Sequence, residues 1–487
     1  MTEEEIVRRE RLEKIRAAGN NPYPARVGRT RAVAAFLNLF EEIEKSGEVA
    51  TLVGRVLTIR VHGGLSFVHL EDGSGKIQLI LKKDHLGEEQ YQFFKDTVDM
   101  GDFVEVTGHP FTTQKGEKSL AADNYRVISK SLLPMPEKWH GLVDQEIRYR
   151  QRYLDLMSNE EVRHIFRVRS AVLSAMRKFL DEHGYMEVET PVLQTIPGGA
   201  SARPFTTHHN ALNADLYLRI APELYLKRLL VGGFERVYEV ARCFRNEGID
   251  HAHNPEFTQI EGYAAYMDYQ EQMTLMEEMI TVAIKAAGRD PSEVPFRGQV
   301  LNFSTPWPRL TFRDAVLKFA KIDIENYQDK ESLIKAMEEK KLEVDPKASF
   351  GTLLDNLYKQ TVRPSIVQPT YIYDYPSVIS PLVKRKDSDS RYIEMFQLLY
   401  GGGEENIKAF SELNDPLDQE ARFNEQVEAR AKGDEDAQFS DPDYVTAMKH
   451  GMPPNAGFGI GIDRLVAMLT DAPNLKEVIL FPTLRPE

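Results

Sequence analysis

FERVYEVARCFRNEGIDHAHNPEFTQIEGYAAY, residues 234–266, carries the reading on which the fold turns. Two runs rich in β-branched and aromatic residues flank the polar turn NEGIDHAHNPE, the pattern of an antiparallel strand pair. Alternation sets Val237, Glu239, Ala241, Cys243 and Arg245 on one face of the first run, and Phe257, Gln259, Glu261 and Tyr263 together on the second. Such a pair can line one pocket with a guanidinium, an aromatic plate, a carboxylate and a phenol. The planar fork of Arg fits phosphate or carboxylate oxygens, and a Phe face suits a purine ring. The plainer reading is a surface hairpin whose Arg245 and Glu247 merely pair, which is worth little in water.

Further on, NAGFGIGIDRLVAMLT (455–470) puts Gly457, Gly459 and Gly461 on one face of a strand, where a ligand or another backbone can approach closely. Asp463 falls where a helix N-cap belongs, with Arg464 on the first turn. Tight packing of strand under helix is the alternative; the GxGxG spacing is a weak match to a dinucleotide loop. In GGGEENIKAFSELND (401–415), Glu405 and Glu412 have the chemistry to share a divalent cation completed by substrate phosphates, or they belong to a solvated acidic face. Walker-type GxxxxGK[ST], HExxH and GxSxG patterns are absent.

Upstream, the spacing predicts a long helix from Asn159 to His183, then extended ETPVL, then strands across LYLRIAPELYL. Residues 311–365 read as helical. Residues 1–48 also read as helical, broken by GNNPYP at Gly19–Pro24. From Ala50 the period shortens: TLVGRVLTIRV, SFVHLED, KIQLILKK and DFVEVTGHPF predict a small antiparallel barrel of about five strands. A helix is expected at Glu88–Thr97, between its third and fourth strands.

The chain of 487 residues, 28% charged and 42% hydrophobic, has the profile of a globular protein of two to four domains. Its net charge of −14 argues against indiscriminate coating of nucleic acid but leaves a local basic groove open. One cysteine, Cys243, excludes an intrachain disulfide and a Cys-based zinc cluster. There is no apolar run of the ~18 residues a bilayer span needs, and MTEEEIVRRERLEKIR has no signal-peptide core, so no membrane association and a cytoplasmic location are expected.

The segments RYRQRYLDLM, MEVETPVLQTIPGGASARPF, HHNAL, YLRIAPELYLKRLLVGGFERVYEV, CFRNEGID, HNPEFT, SELND and GFGIGIDRLVAMLTDAPNLKEVILFP together resemble the class II lysyl-tRNA synthetases of bacterial type, from about Val53 to Pro486. The resemblance implies an α+β fold: a helical extension (1–48), an oligonucleotide-binding (OB-fold) barrel (49–135), a linker (136–150) and a catalytic domain (151–487) of antiparallel sheet flanked by helices, with a helical insertion near 311–365. It implies lysine activation with ATP and Mg2+, transfer to tRNA(Lys), and a homodimer built through the region ending at Glu187-Val188-Glu189-Thr190-Pro191. Carried over by position, Arg245 and Arg464 are catalytic. Arg245 contacts the α-phosphate and the amino-acid carboxylate, and Glu247, His253, Phe257 and Arg464 hold ATP, with Phe257 and Arg464 on opposite faces of the adenine.

The same resemblance sets Glu412 and Tyr263 on the lysine ammonium, with Glu223 and Glu261 completing the acidic pocket, and Glu405 and Glu412 as metal ligands. It sets Arg60, Phe67, Gln78 and Glu117 on the anticodon, where stacking and edge contacts read single-stranded bases; Phe67 as a barrel-core residue is the alternative. The sequence departs from the family at two positions. Lys408 stands where an Asn is usual, and Gln397 replaces a second loop carboxylate. Lys408 is therefore open to three readings: pairing with the substrate carboxylate, standing in for metal charge, or turning to solvent. An adenylating paralogue with another amine substrate or acceptor, and a noncatalytic nucleic-acid-binding relative, are the competing functions; retention of Arg245, Phe257 and Arg464 together disfavours the latter.

Overall fold

The computed structural model describes residues 1–136, 144–380, 382–431 and 439–486. The chain divides into two compact units, Met1–Val143 and Asp144–Glu487.

In the first unit, β1 (Ala50–His62), β2 (Leu65–Glu71), β3 (Lys76–Lys82), β4 (Phe103–Thr112) and β5 (Lys118–Ser129) close into a barrel in the order β1-β2-β3-β5-β4. Alternation decides its inside: Val68 and Leu70 on β2 are buried with Leu52, Leu79, Val104, Val106 and Leu120, while Phe67 and His69 lie on the other face. The helix at Glu88–Thr97 buries Tyr91, Phe94 and Thr97, three residues at helical spacing, against the barrel. Phe94 meets Tyr125 edge to face at 5.3 Å. Each such fully buried aromatic contributes roughly 1.5–3 kcal/mol of transfer free energy.

The second unit is organised on an eight-stranded sheet. Its strands are β6 (Met186–Glu187), β7 (Arg236–Phe244), β8 (Glu256–Ala265), β9 (Arg309–Thr311), β10 (Thr370–Pro376), β11 (Tyr392–Tyr400), β12 (Glu404–Ser411) and β13 (Asn455–Gly461), in the order β9-β10-β11-β12-β13-β8-β7-β6. All neighbours are antiparallel except the two edge pairs, β9-β10 and β6-β7. Behind the sheet pack the helices Glu160–Glu182, capped by Asn159, and Tyr269–Ala286, which begins on a capping box of Asp268 and Glu271. Residues 312–361 supply three helices with their own apolar cluster around Phe312, Leu353, Leu357 and Tyr358. Of the expected linker at 136–150, residues 137–143 lie outside the described residues. Gln145–Arg150 is a helix of the second unit, tied down where the Tyr149 hydroxyl donates to Glu477 at 2.9 Å.

Two local expectations are corrected. The strand expected through PELYL is a helix, Glu223–Val231: Glu223, Leu226, Lys227 and Leu230 share a buried face at spacings of three and four, and this period overrides the short alternation Leu-Tyr-Leu. Asp463 is not the N-cap of the helix Ile462–Thr470; Gly461 is. Asp463 sits inside the first turn, accepts from the Thr258 N–H at 3.0 Å and pairs with Arg169 at 2.6 Å.

Candidate active site

The strands β7, β8, β13 and β12 lie side by side and floor a cavity of about 480 Å³. Register fixes what faces it. Cys243 is opposite Phe257, Glu239 opposite Glu261, and Val237 opposite Tyr263. Across the next pairings, Gly459 lies between Glu261 and Lys408, and Gly457 between Tyr263 and Phe410. The two glycines differ in what they allow. A Cβ on Gly457 would fall 2.3 Å from both Glu412 Oε1 and the Tyr263 ring, whereas one on Gly459 meets nothing nearer than 3.7 Å. Gly457 therefore admits the packing of an acid and a phenol, and Gly459 leaves open floor.

At one end stand the groups suited to a nucleotide. The Arg245 guanidinium lies over the Phe257 ring, 4.9 Å from its centroid, and its Nε is buried without a hydrogen-bond partner among the described residues. The Arg245 N–H donates to the Pro255 carbonyl at 2.8 Å, closing the base of the loop that carries Glu247 and His253 to the rim. His253 Nδ1 lies 2.9 Å from Asp250. Arg464 enters from the helix behind β13 and donates to the Glu405 carbonyl at 3.1 Å. The structure thus brings Arg245, Glu247, His253, Phe257 and Arg464 to one cavity end.

At the other end the charge is acidic and enclosed. Glu223 and Lys227 stand one helical turn apart and pair at 2.6 Å; the Lys227 ammonium also meets Glu412, and neither of those two side chains has any exposure. Burial alone would depress the Lys227 ammonium, but Glu223 and Glu412 outweigh it and hold it charged. Glu412 Oε1 has no hydrogen-bond partner among the described residues. Burial, reinforced by the charge of Glu223 and opposed by Arg245, pushes the Glu261 carboxyl up to about 8. It accepts from Gln259 at 2.5 Å and from the Tyr263 hydroxyl at 3.3 Å. Burial likewise keeps the Tyr263 phenol protonated. Glu223, Glu261, Tyr263 and Lys408 line the cavity itself, while Glu412 lies behind Tyr263 and Gly457. Lys227 escaped the sequence analysis because its i,i+4 relation to Glu223 exists only in the helix that was expected as a strand.

The two carboxylates expected at a metal each meet other side chains. Glu405 accepts from Gln397 Nε2 at 2.9 Å and faces Arg363 at 3.5 Å, and Glu412 is taken by Lys227. Gln397 spends its carbonyl oxygen on the Tyr375 hydroxyl at 2.7 Å. No group of three or more His, Cys, Asp or Glu among the described residues is arranged to hold a metal ion.

On the barrel, Arg60 is paired across strands with Phe67, and His69 with Gln78, so these residues share one outer region. Phe67 is half-buried outside the core. Gln78 is buried and donates to Ser119 Oγ at 3.0 Å. Exposed Glu117 lies 3.8 Å from His69 Nε2, which adds a histidine that the sequence analysis did not single out.

The family described as tRNA synthetases class II (D, K and N) matches residues 144–485, and the one described as OB-fold nucleic acid binding domain matches residues 50–128. The chain is 48% identical over 483 residues to the lysine–tRNA ligase of Pelotomaculum thermopropionicum, covering 99% of this chain and 94% of that one. It is 49% identical over 478 residues to the lysine–tRNA ligase of Roseiflexus sp. strain RS-1, covering 98% and 97%. To that of Dehalococcoides mccartyi strain 195 it is 48% identical over 481 residues, covering 98% and 96%. No described helix is long and apolar enough to cross a membrane.

Proposed function

The chain belongs to the class II tRNA synthetases of the D, K and N family, and from that premise we propose that it activates L-lysine with ATP and transfers the lysyl group to the 3′ end of tRNA(Lys). The observation that carries the reading is the cavity with two unlike ends: Arg245, Phe257 and Arg464 at one, and Tyr263, Glu223 and Glu261 backed by Glu412 at the other. A nucleotide matches the first in charge and stacking, and a cationic amino-acid side chain matches the second.

In the first step a lysine carboxylate oxygen bonds to the α-phosphorus in line with the bridging oxygen of pyrophosphate, which leaves with the electron pair of the broken bond. Arg245 stands where both anions meet and offsets their mutual repulsion; Arg464 holds the far side of the nucleotide. In the second step a hydroxyl of the tRNA 3′-terminal ribose bonds to the acyl carbon, gives up its proton, and AMP departs. No side chain forms a covalent intermediate, so positioning and preorganised charge supply the acceleration. Glu405 and Glu412 would hold Mg2+ together with the phosphates of ATP, where it would offset their negative charge. The outer face of the barrel, with Phe67 as platform and Arg60, Gln78 and Glu117 around it, takes the anticodon bases. The protein acts as a cytoplasmic homodimer joined through the segment ending at Pro191, in and next to which Met186, Val192 and Leu193 are exposed apolar side chains.

The test is charging of a tRNA(Lys) transcript with labelled lysine. Acid-precipitable lysyl-tRNA that depends on ATP is expected; adenylate formation without transfer to any tRNA would overturn the assignment of the acceptor.

A further inference from the structure

A row of polar side chains crosses the outer face of the barrel. Cross-strand register sets Thr58 of β1 opposite His69 of β2, His69 opposite Gln78 of β3, and Gln78 opposite Ser119 of β5. Hydrogen bonds tie the row together. Thr58 Oγ1 lies 2.7 Å from His69 Nδ1, Gln78 Nε2 donates to Ser119 Oγ at 3.0 Å, and that hydroxyl donates to the Glu117 carbonyl at 3.2 Å. The next row along the strands carries Arg60 and Phe67, two residues on from Thr58 and His69 and on the same face.

His69 stands next to the Phe67 platform without being part of the core. It is half-buried, while Val68 and Leu70 on either side of it point inward. Outward residues two apart on a strand are separated by roughly 6.6 Å, so a base stacked on Phe67 brings its edge over His69. What His69 faces decides which edge fits there. Glu117 Oε1 lies 3.8 Å from Nε2, beyond hydrogen-bond reach, so the two groups stand side by side instead of bonding to each other. A carboxylate only accepts, so the ring nitrogen turned toward it carries the proton, and Nδ1 accepts from the Thr58 hydroxyl. The pair therefore presents one donor beside one acceptor. An oxo group beside a ring N–H, the edge of uracil and guanine, complements both. The amino group beside a bare ring nitrogen in cytosine and adenine opposes both.

We propose that His69 is a specificity-determining residue for tRNA: its Nε2–H and the Glu117 carboxylate together select an unpaired base that presents an oxo group beside an N–H. The inference rests on the reading of the barrel as the anticodon site and deepens it. His69 then decides which base is accepted, whereas Phe67 stacks on whichever base arrives.

Binding of the full chain to a tRNA(Lys) transcript, and to transcripts in which each anticodon uridine in turn is replaced by cytidine, tests this. Wild type is expected to lose about tenfold or more on one of the replacements, the scale of one base edge recognised. In His69→Leu the parent transcript is expected to bind about tenfold more weakly, and the penalty for that cytidine to shrink below about threefold. His69→Gln, which returns an N–H near the place of Nε2, is expected to retain most of the discrimination. Thr58→Val, which leaves the ring in place without its orienting hydroxyl, is expected to fall between the two. Because His69 lies half-buried outside the core, these variants are expected to melt with wild type. A His69→Leu variant that binds the parent as wild type does would overturn the proposal, as would equal binding of all transcripts by wild type. So would a loss by the same factor on every transcript, which is what a purely structural role gives. Phe67→Ala, run in parallel, separates the two ideas: if it weakens binding and His69→Leu does not, only the role of His69 falls, and if neither does, the barrel is misassigned as the anticodon site.

Discussion

Lys227 and Glu412 form an ion pair in which neither side chain has any solvent exposure. The pair comes from distant parts of the chain, a helix before the first hairpin strand and the end of β12, and it fixes the closed end of the cavity. Removing one partner leaves an uncompensated buried charge, which costs about 3–5 kcal/mol. Lys227→Met is therefore expected to lower stability by about that amount in denaturant unfolding, and Glu412→Gln added to it to recover much of the loss. A loss below about 1 kcal/mol would show the pair to be incidental.

Gly457 and Gly459 differ in the space above them, and so should their alanine variants. A methyl on Gly457 would displace Glu412 or Tyr263. Gly457→Ala is expected to reduce lysine-dependent exchange by about a hundredfold with nucleotide affinity kept, a split between the two ends of the cavity. Gly459→Ala is expected to melt within about 2 °C of wild type, since its Cβ meets only ordinary contacts.

The Glu261 carboxyl, at about 8 in the folded chain, lies above its unfolded value of about 4.3, so the folded state binds the extra proton. Its contribution to stability is complete below about pH 4 and is lost as pH rises toward 8. Each pH unit in that window changes the balance by up to about 1.4 kcal/mol, roughly 2 °C in melting temperature. Between pH 5 and 8 wild type is expected to fall more steeply than Glu261→Gln by about that slope; parallel curves would contradict the burial of an ionisable carboxyl there.

The barrel should act on tRNA alone. Phe67→Ala is expected to weaken tRNA(Lys) binding by about 1–3 kcal/mol, the worth of one base stacked on an aromatic ring, and to leave pyrophosphate exchange without tRNA unchanged. An unaltered tRNA affinity would return Phe67 to a purely structural role.

Much of this was legible in the linear order of residues, and the limits have physical causes. The hairpin 236–265 and the barrel strands could be read because alternation along a strand is a local property that burial on one face preserves. The helix Glu223–Val231 could not, because Leu-Tyr-Leu satisfies a period of two over its first residues and only Lys227 and Leu230 reveal the longer one. With that helix misread, Lys227 had no visible relation to Glu223, and its contact with Glu412 depends on a pairing of distant segments that no local pattern encodes. The commitment of Glu405 to Gln397 and Arg363 is likewise a tertiary fact. His69 came beside Glu117 because the barrel closes β3 onto β5.

The most direct test of the central claim is amino-acid-dependent exchange of pyrophosphate into ATP, without tRNA, across the standard amino acids together with ornithine and β-lysine. Exchange is expected with lysine alone, and abolished or reduced about 10²–10³-fold in Arg245→Ala. Exchange with a different amino acid and none with lysine would contradict the assignment of Glu412 and Tyr263 to a lysine ammonium.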